Sequence, residues 1–143
     1  SIMKVKIKKL SPDAKIPKYA KPGDACMDLY AVSHTIDDHG NHVYDTQIAM
    51  EIPSGHVGLI FPRSSISKTT GMSLRNSVGV IDSGYRGPIM LKFASPIGAG
   101  VYLAGDRVAQ IMILPYPEIE YVEVNQLSDS DRGSGGFGST GTN

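Results

Sequence analysis

The sequence predicts an all-β domain, and three observations carry that expectation. Short stretches alternate apolar and polar residues, or run apolar for about the length of a strand. Sixteen glycines and nine prolines, spread along 143 residues, punctuate them with turns. Only one stretch carries a helix signal.

The elements follow in order. Met3 to Lys8 alternates apolar and basic residues, so a half-buried strand is expected with its lysines toward solvent. Thr46 to Ile52 and His56 to Phe61 are apolar runs parted by Pro53-Ser54-Gly55, a turn signal. Val78 to Ile81, Ile89 to Ala94 and Val108 to Leu114 read as further strands, and Ile119 to Val124 alternates again. Ser64 to Thr70 is the helix candidate, barely two turns long, with a serine to cap it and Gly71 to end it. Strands recurring with short turns point to a sandwich or barrel.

The whole-chain properties exclude several classes. A length of 143 residues suits one domain with a core of its own. Net charge is zero, so a broad electrostatic grip on nucleic acid is not expected. No apolar run approaches the ~20 residues a bilayer requires, so no membrane partner is expected. Cys26 is the one cysteine, which rules out an internal disulfide and fits a reducing, cytoplasmic setting. It has no histidine near it in sequence, so it reads as a structural thiol. Residues 1–127 are expected to form the domain. From Ser128 the composition turns to Asp, Ser, Gly and Thr, so 128–143 reads as a flexible tail without a core.

Several stretches could carry chemistry. Pro62-Arg63-Ser64-Ser65 ends a strand at the helix candidate, where hydroxyls and a guanidinium suit phosphate, or simply an N-cap. Asp82 follows an apolar run directly and is either a turn former or a rigidly held general base. Gln110 is polar within an apolar run and needs a partner, while Arg107 reads as pairing Asp106 or another carboxylate. The tail carries Arg132, Phe137 and two hydroxyls on flexible backbone that could wrap phosphates. It is neither a Walker loop nor a dinucleotide fingerprint. His39 and His42, beside Asp37 and Asp38, look like part of a hairpin loop rather than a metal site.

In order and spacing, these stretches resemble the five motifs of the trimeric dUTPase family. They are Asp-Leu-Tyr-Ala at 28–31, Pro-Arg-Ser-Ser at 62–65 and Gly-Val-Ile-Asp-Ser-Gly-Tyr-Arg-Gly at 79–87. Gly-Asp-Arg-Val-Ala-Gln at 105–110 and Arg-Gly-Ser-Gly-Gly-Phe-Gly-Ser-Thr-Gly at 132–141 complete them. The resemblance covers nearly the whole chain and implies a jelly-roll-like β-barrel subunit with one short helix. It also implies a homotrimer with active sites shared between subunits, each closed by a neighbour's tail. The implied reaction is hydrolysis of dUTP to dUMP and pyrophosphate with Mg2+, which limits uracil in DNA and supplies dUMP for dTMP synthesis.

Residue by residue, Asp82 resembles the base that activates water for in-line attack on the α-phosphorus. Asp28 resembles the first-motif aspartate that reaches Mg2+ through water, the ion being held mainly by the substrate phosphates. Arg63, Ser64, Ser65 and Gln110 resemble phosphate contacts. Asn76 with the backbone of Gly79, Val80 and Ile81 resembles the hairpin that reads uracil. Tyr85 resembles the ring that blocks a 2′-hydroxyl, and Met90 lines the same pocket. Arg132 resembles an arginine finger on the γ-phosphate, Phe137 a ring stacked on uracil, and Gly138 with Ser139 a phosphate hold. The chain departs from the usual pattern at Cys26-Met27, Ser65 and Gly84. The fold also hosts dCTP deaminases, which use a glutamate in the strand after the third motif. Here that strand reads Ile89-Met90-Leu91-Lys92-Phe93. A regulatory binding protein and a plain β-sandwich module are the non-enzymatic alternatives.

Overall fold

The computed structural model describes residues 2–138, and it is nearly all β with one short helix. Ten strands occur among the described residues: β1 (Lys6–Lys9), β2 (Met27–Tyr30), β3 (Ser33–Ile36), β4 (His42–Asp45), β5 (Ile48–Glu51), β6 (His56–Phe61), β7 (Ser73–Leu74), β8 (Gly79–Ile81), β9 (Met90–Ala94) and β10 (Arg107–Pro115). They form two four-stranded sheets, ordered β2-β10-β6-β8 and β3-β4-β9-β7, and a two-stranded β1-β5 ribbon. All pairings are antiparallel. No described helix is long and apolar enough to cross a membrane.

The core lies between the sheets. Leu29, Ile60, Val108 and Ile111 come from one sheet, Tyr44, Leu91 and Phe93 from the other, and Ile48 and Ile52 from β5 and its end. Each fully buried side chain of this size contributes roughly 1.5–3 kcal/mol of transfer free energy. Tyr44, Phe93 and Tyr102 meet edge to face, with ring centroids 5.6–6.2 Å apart. The Tyr44 hydroxyl donates to the Tyr102 carbonyl at 2.7 Å, which satisfies a polar group inside the core.

The expected strand at Met3 to Lys8 is observed over Lys6–Lys9, where Lys6 faces solvent and pairs with Glu51 at 3.7 Å. His56–Phe61 is a strand with the expected bounds, and the other apolar runs hold strands shifted by a residue or two. β2, β3, β4 and β7 were not expected. Their sequences mix charged, aromatic and hydroxyl residues, and only packing between neighbours recruits them into sheets.

Two expectations are corrected. Ile119 to Val124 is not a strand; beyond Pro115 the chain runs on without regular structure through the described residues, with Ile119, Tyr121, Val122 and Val124 exposed. Alternation shows that a segment is able to pair, and a strand also requires a free edge within reach. The helix is α1 (Ile66–Thr69), a single turn, shorter than the stretch expected. Ser65 sits at its N-cap but makes no side-chain cap hydrogen bond. The turn ends as the Thr69 and Thr70 hydroxyls bond back to the carbonyls of Ser65 and Ile66, which competes with further helix.

Candidate functional site

A cleft of about 450 Å3 opens beside the β7–β8 turn. Asn76, Gly79, Val80, Ile81 and Met90 line it, so the structure gathers the expected base-reading residues in one place. Ile60, Leu74, Arg75, Leu91 and Lys92 complete the wall. The two basic residues there were not singled out from the sequence, because each lies in an apparently ordinary strand or turn.

The turn is held tightly. Ser77 adopts a left-handed φ of 61°, and Val78 N–H donates to the Asn76 carbonyl at 2.6 Å, a three-residue turn. A non-glycine residue in that region is strained by about 1–3 kcal/mol and persists where the surroundings impose it. Gly79 lets β8 approach β6: a Cβ there would stand 3.1 Å from Ile60 Cβ.

Asp82 leaves β8 and opens a turn whose Tyr85 N–H donates to the Asp82 carbonyl at 3.1 Å. Its carboxylate is exposed, with no hydrogen bond or ion pair among the described residues. The backbone of Asp82 thus forms the turn, and no partner among the described residues holds its side chain. The Tyr85 hydroxyl donates to the Pro88 carbonyl at 2.8 Å and its ring lies over Gly87. A Cβ on Gly87 would come within 2.5 Å of that hydroxyl, so glycine is what admits the ring there.

A second group of polar residues gathers at the ends of β2, β6 and β10. Asp28 stands opposite Gln110, which in turn stands opposite Phe61. Gln110 finds its partner in the Pro62 carbonyl, to which Nε2 donates at 2.9 Å. Asp28 Oδ1 lies 3.7 Å from Arg63 Nε and Oδ2 lies 3.4 Å from Arg107 Nη1. Arg107 thus pairs with Asp28, whereas Asp106 accepts the Leu103 N–H at 2.7 Å. Ser64 is exposed, and the Ser65 hydroxyl is buried with no partner among the described residues. A one-turn helix carries little dipole, so the charge of this corner comes from its side chains, Arg63 and Arg107 against Asp28.

Cys26 is half-buried just before Asp28. Burial, and then the Asp28 charge, push its thiol pKa up, so it stays protonated and suits a structural role. In the tail, Arg132 Nε donates to the Gly135 carbonyl at 2.6 Å, while Phe137 is fully exposed and Gly138 has a φ of 82°. Ser139 lies outside the described residues. The cleft and the Asp28 corner lie on one sheet, joined through β6, which carries Ile60 in the cleft wall and leads by Phe61 and Pro62 to Arg63 at the corner.

No three His, Cys, Asp or Glu side chains cluster as a metal cage among the described residues. A single carboxylate, Asp28, among groups suited to phosphate fits an ion that arrives on a phosphate chain. Mg2+ is commonly bound that way, through one or two carboxylates and the substrate's own oxygens.

Comparison with known proteins gives a consistent result. The family model for dUTPase matches residues 12–141. The deoxyuridine 5'-triphosphate nucleotidohydrolase of Clostridium tetani is 40% identical over 139 residues, covering 96% of each chain. That of Thermobifida fusca is 39% identical over 142 residues, covering 97% of this chain and 79% of the relative. Among solved structures, a mutant dUTPase of Staphylococcus bacteriophage 80alpha with dUpNHpp superposes with a TM-score of 0.83 at 26% identity, covering 96% of this chain and 98% of the other.

Proposed function

Because this chain belongs to the dUTPase family, we propose that it hydrolyses dUTP to dUMP and pyrophosphate, in an active site assembled from three copies of the chain. The observation that carries this reading is the cleft beside the turn from Asn76 to Ile81, lined by the residues that match the family's base-reading hairpin. A cleft with base-reading backbone, a corner rich in guanidinium groups and a tail with an exposed ring are each incomplete alone. A homotrimer brings them together. The run of exposed apolar residues from Ile119 to Leu127 supports assembly, since such surface is normally covered.

Each group then has a task. The turn from Asn76 to Ile81 offers backbone donors and acceptors to the edge of uracil. Cytosine would leave its amino group facing a donor, and the closeness of the turn leaves no room for thymine's methyl. Met90 lines the same cleft, and Tyr85 closes the sugar position against a 2′-hydroxyl. Arg63, Ser64, Ser65 and Gln110 hold the phosphates, with Ser65 offering a hydroxyl that is not used for capping. Asp82, exposed and unpartnered, takes a proton from the water that attacks the α-phosphorus in line. Asp28 would meet Mg2+ through water, with the substrate phosphates as the ion's main holders, and the ion would supply neutralisation of the charge on the leaving pyrophosphate. The tail, 128–143, closes over a neighbour's site: Arg132 meets the γ-phosphate, Phe137 stacks on uracil, and Gly138 and Ser139 hold phosphate. A cytoplasmic setting accords with the single free cysteine.

The test is incubation of the purified protein with dUTP, dCTP, dTTP and UTP, with and without Mg2+, beside Asp82→Asn. Formation of dUMP and pyrophosphate from dUTP alone, nearly abolished in the variant, is the expected result. Deamination of dCTP would transfer the chain to the other activity of this fold. A folded trimer that turns over no nucleotide would leave only a binding role.

A further inference from the structure

The register of β10 turns Arg107 toward a residue that the proposed reaction uses. Successive side chains of a strand point to opposite faces. Gln110 stands opposite Asp28 and shares its face, so uninterrupted alternation would put Arg107 on the other face. The register instead shifts between Arg107 and Ala109, and Arg107 stands opposite Tyr30, on the face of Asp28. Val108 and Ala109 are both fully buried, two consecutive residues directed into the core. A bulge re-aims a side chain in this way. The result is a carboxylate shared between two guanidinium groups, 3.4 Å from Arg107 and 3.7 Å from Arg63.

We propose that Arg107 is a positioning residue of the phosphate corner: it holds Asp28 by Oδ2 and keeps that carboxylate from repelling an incoming triphosphate. This rests on the dUTPase reading above and adds a residue to it. Two guanidinium groups on one carboxylate leave an excess of one positive charge at the corner. An arriving triphosphate draws Arg63 toward itself through charge-assisted hydrogen bonds. Asp28 would then face the phosphates unneutralised, except that Arg107 remains on its other oxygen. Arg107 acts through Asp28 and has no separate task on the phosphates.

The test is a double-mutant cycle read by calorimetric titration of the full chain with dUpNHpp, an imido analogue of dUTP, in EDTA and in Mg2+. Arg107→Ala is expected to weaken binding about tenfold in EDTA, and about threefold in Mg2+, where the cation partly replaces the lost charge. Arg107→Lys restores most of the loss. In an Asp28→Asn background the effect of Arg107→Ala shrinks to within about twofold, because there is no carboxylate left to neutralise. An undiminished effect in that background would mean that Arg107 binds phosphate itself, and would overturn the proposal. So would a lysine variant as weak as the alanine one, since packing would then be the cause. Arg107→Gln, which keeps most of the stem, runs the same cycle if the alanine variant does not fold. Failure of folded wild-type protein to bind dUpNHpp at all would sink the dUTPase reading, and this proposal with it.

Discussion

His34 Nε2 lies 2.8 Å from His42 Nδ1, so the two imidazoles meet across the β3–β4 hairpin. Their rings are stacked nearly parallel, at 19°, with centroids 5.0 Å apart, and His34 also lies parallel to the Tyr44 ring at 4.6 Å. At this contact one nitrogen must donate and the other accept. Two imidazolium ions cannot share it. Burial, and then the charge of His42, lower the His34 pKa.

The sign of the pH effect follows. A base whose folded pKa is lowered is protonated first in the unfolded chain, so stability falls as pH drops below about 6.5. His34→Phe keeps a ring on Tyr44 but removes the titration. Thermal melts of the two proteins between pH 7 and pH 5 are expected to show a steeper loss for the wild type. Parallel pH profiles would refute this.

Asp37 anchors the same hairpin. Its carboxylate accepts the backbone N–H groups of Asn41 and His39, each at 2.9 Å, and pairs with Lys92 at 3.5 Å. The Asn41 N–H foremost draws its pKa down to about 2. An acid of lowered folded pKa stabilises fully above the unfolded value, and that contribution disappears as pH falls toward about 2. Asp37→Ala is expected to lower the melting temperature at neutral pH, with the gap to wild type closing as the pH is brought from 4 toward about 2. A gap independent of pH would point to lost packing instead.

Gly87→Ala tests the seat of Tyr85. The added methyl would meet the tyrosine hydroxyl at 2.5 Å, so the ring must move. The expected outcome is a protein that still folds, a fall in kcat/KM for dUTP of about tenfold or more, and measurable turnover of UTP; misplacing a positioned group by an ångström has effects of this order. Unchanged discrimination between dUTP and UTP would remove Tyr85 from the sugar position.

Tyr44→Phe removes the hydroxyl that satisfies the Tyr102 carbonyl in the core. Leaving that acceptor unpaired is expected to cost about 1–2 kcal/mol, read by urea denaturation at fixed protein concentration. Activity measured well below the midpoint should be unaffected, since Tyr44 does not itself line the cleft and its hydroxyl is directed at Tyr102.

Much of this protein was legible from its residues. Apolar runs bounded by glycine and proline marked β6, β8, β9 and β10, because a strand packed on a core must carry such a run. Arg63, Asn76, Asp82 and Gln110 stood out as polar residues that interrupt those runs. The residues could not name the partners. His42 looked toward His39 in sequence and meets His34 in space, since hairpin register brings together residues that the chain holds eight apart. Arg107 was expected on Asp106 or another carboxylate, and which one it meets, Asp28, is set by a bulge, a change of register that leaves no mark in composition. Ile119 to Val124 alternates as a strand does and pairs with nothing among the described residues. Side-chain period says which way residues face, and that is a local property of the backbone. Which edge, charge or ring they face is decided only when distant segments pack together, and that belongs to the tertiary structure.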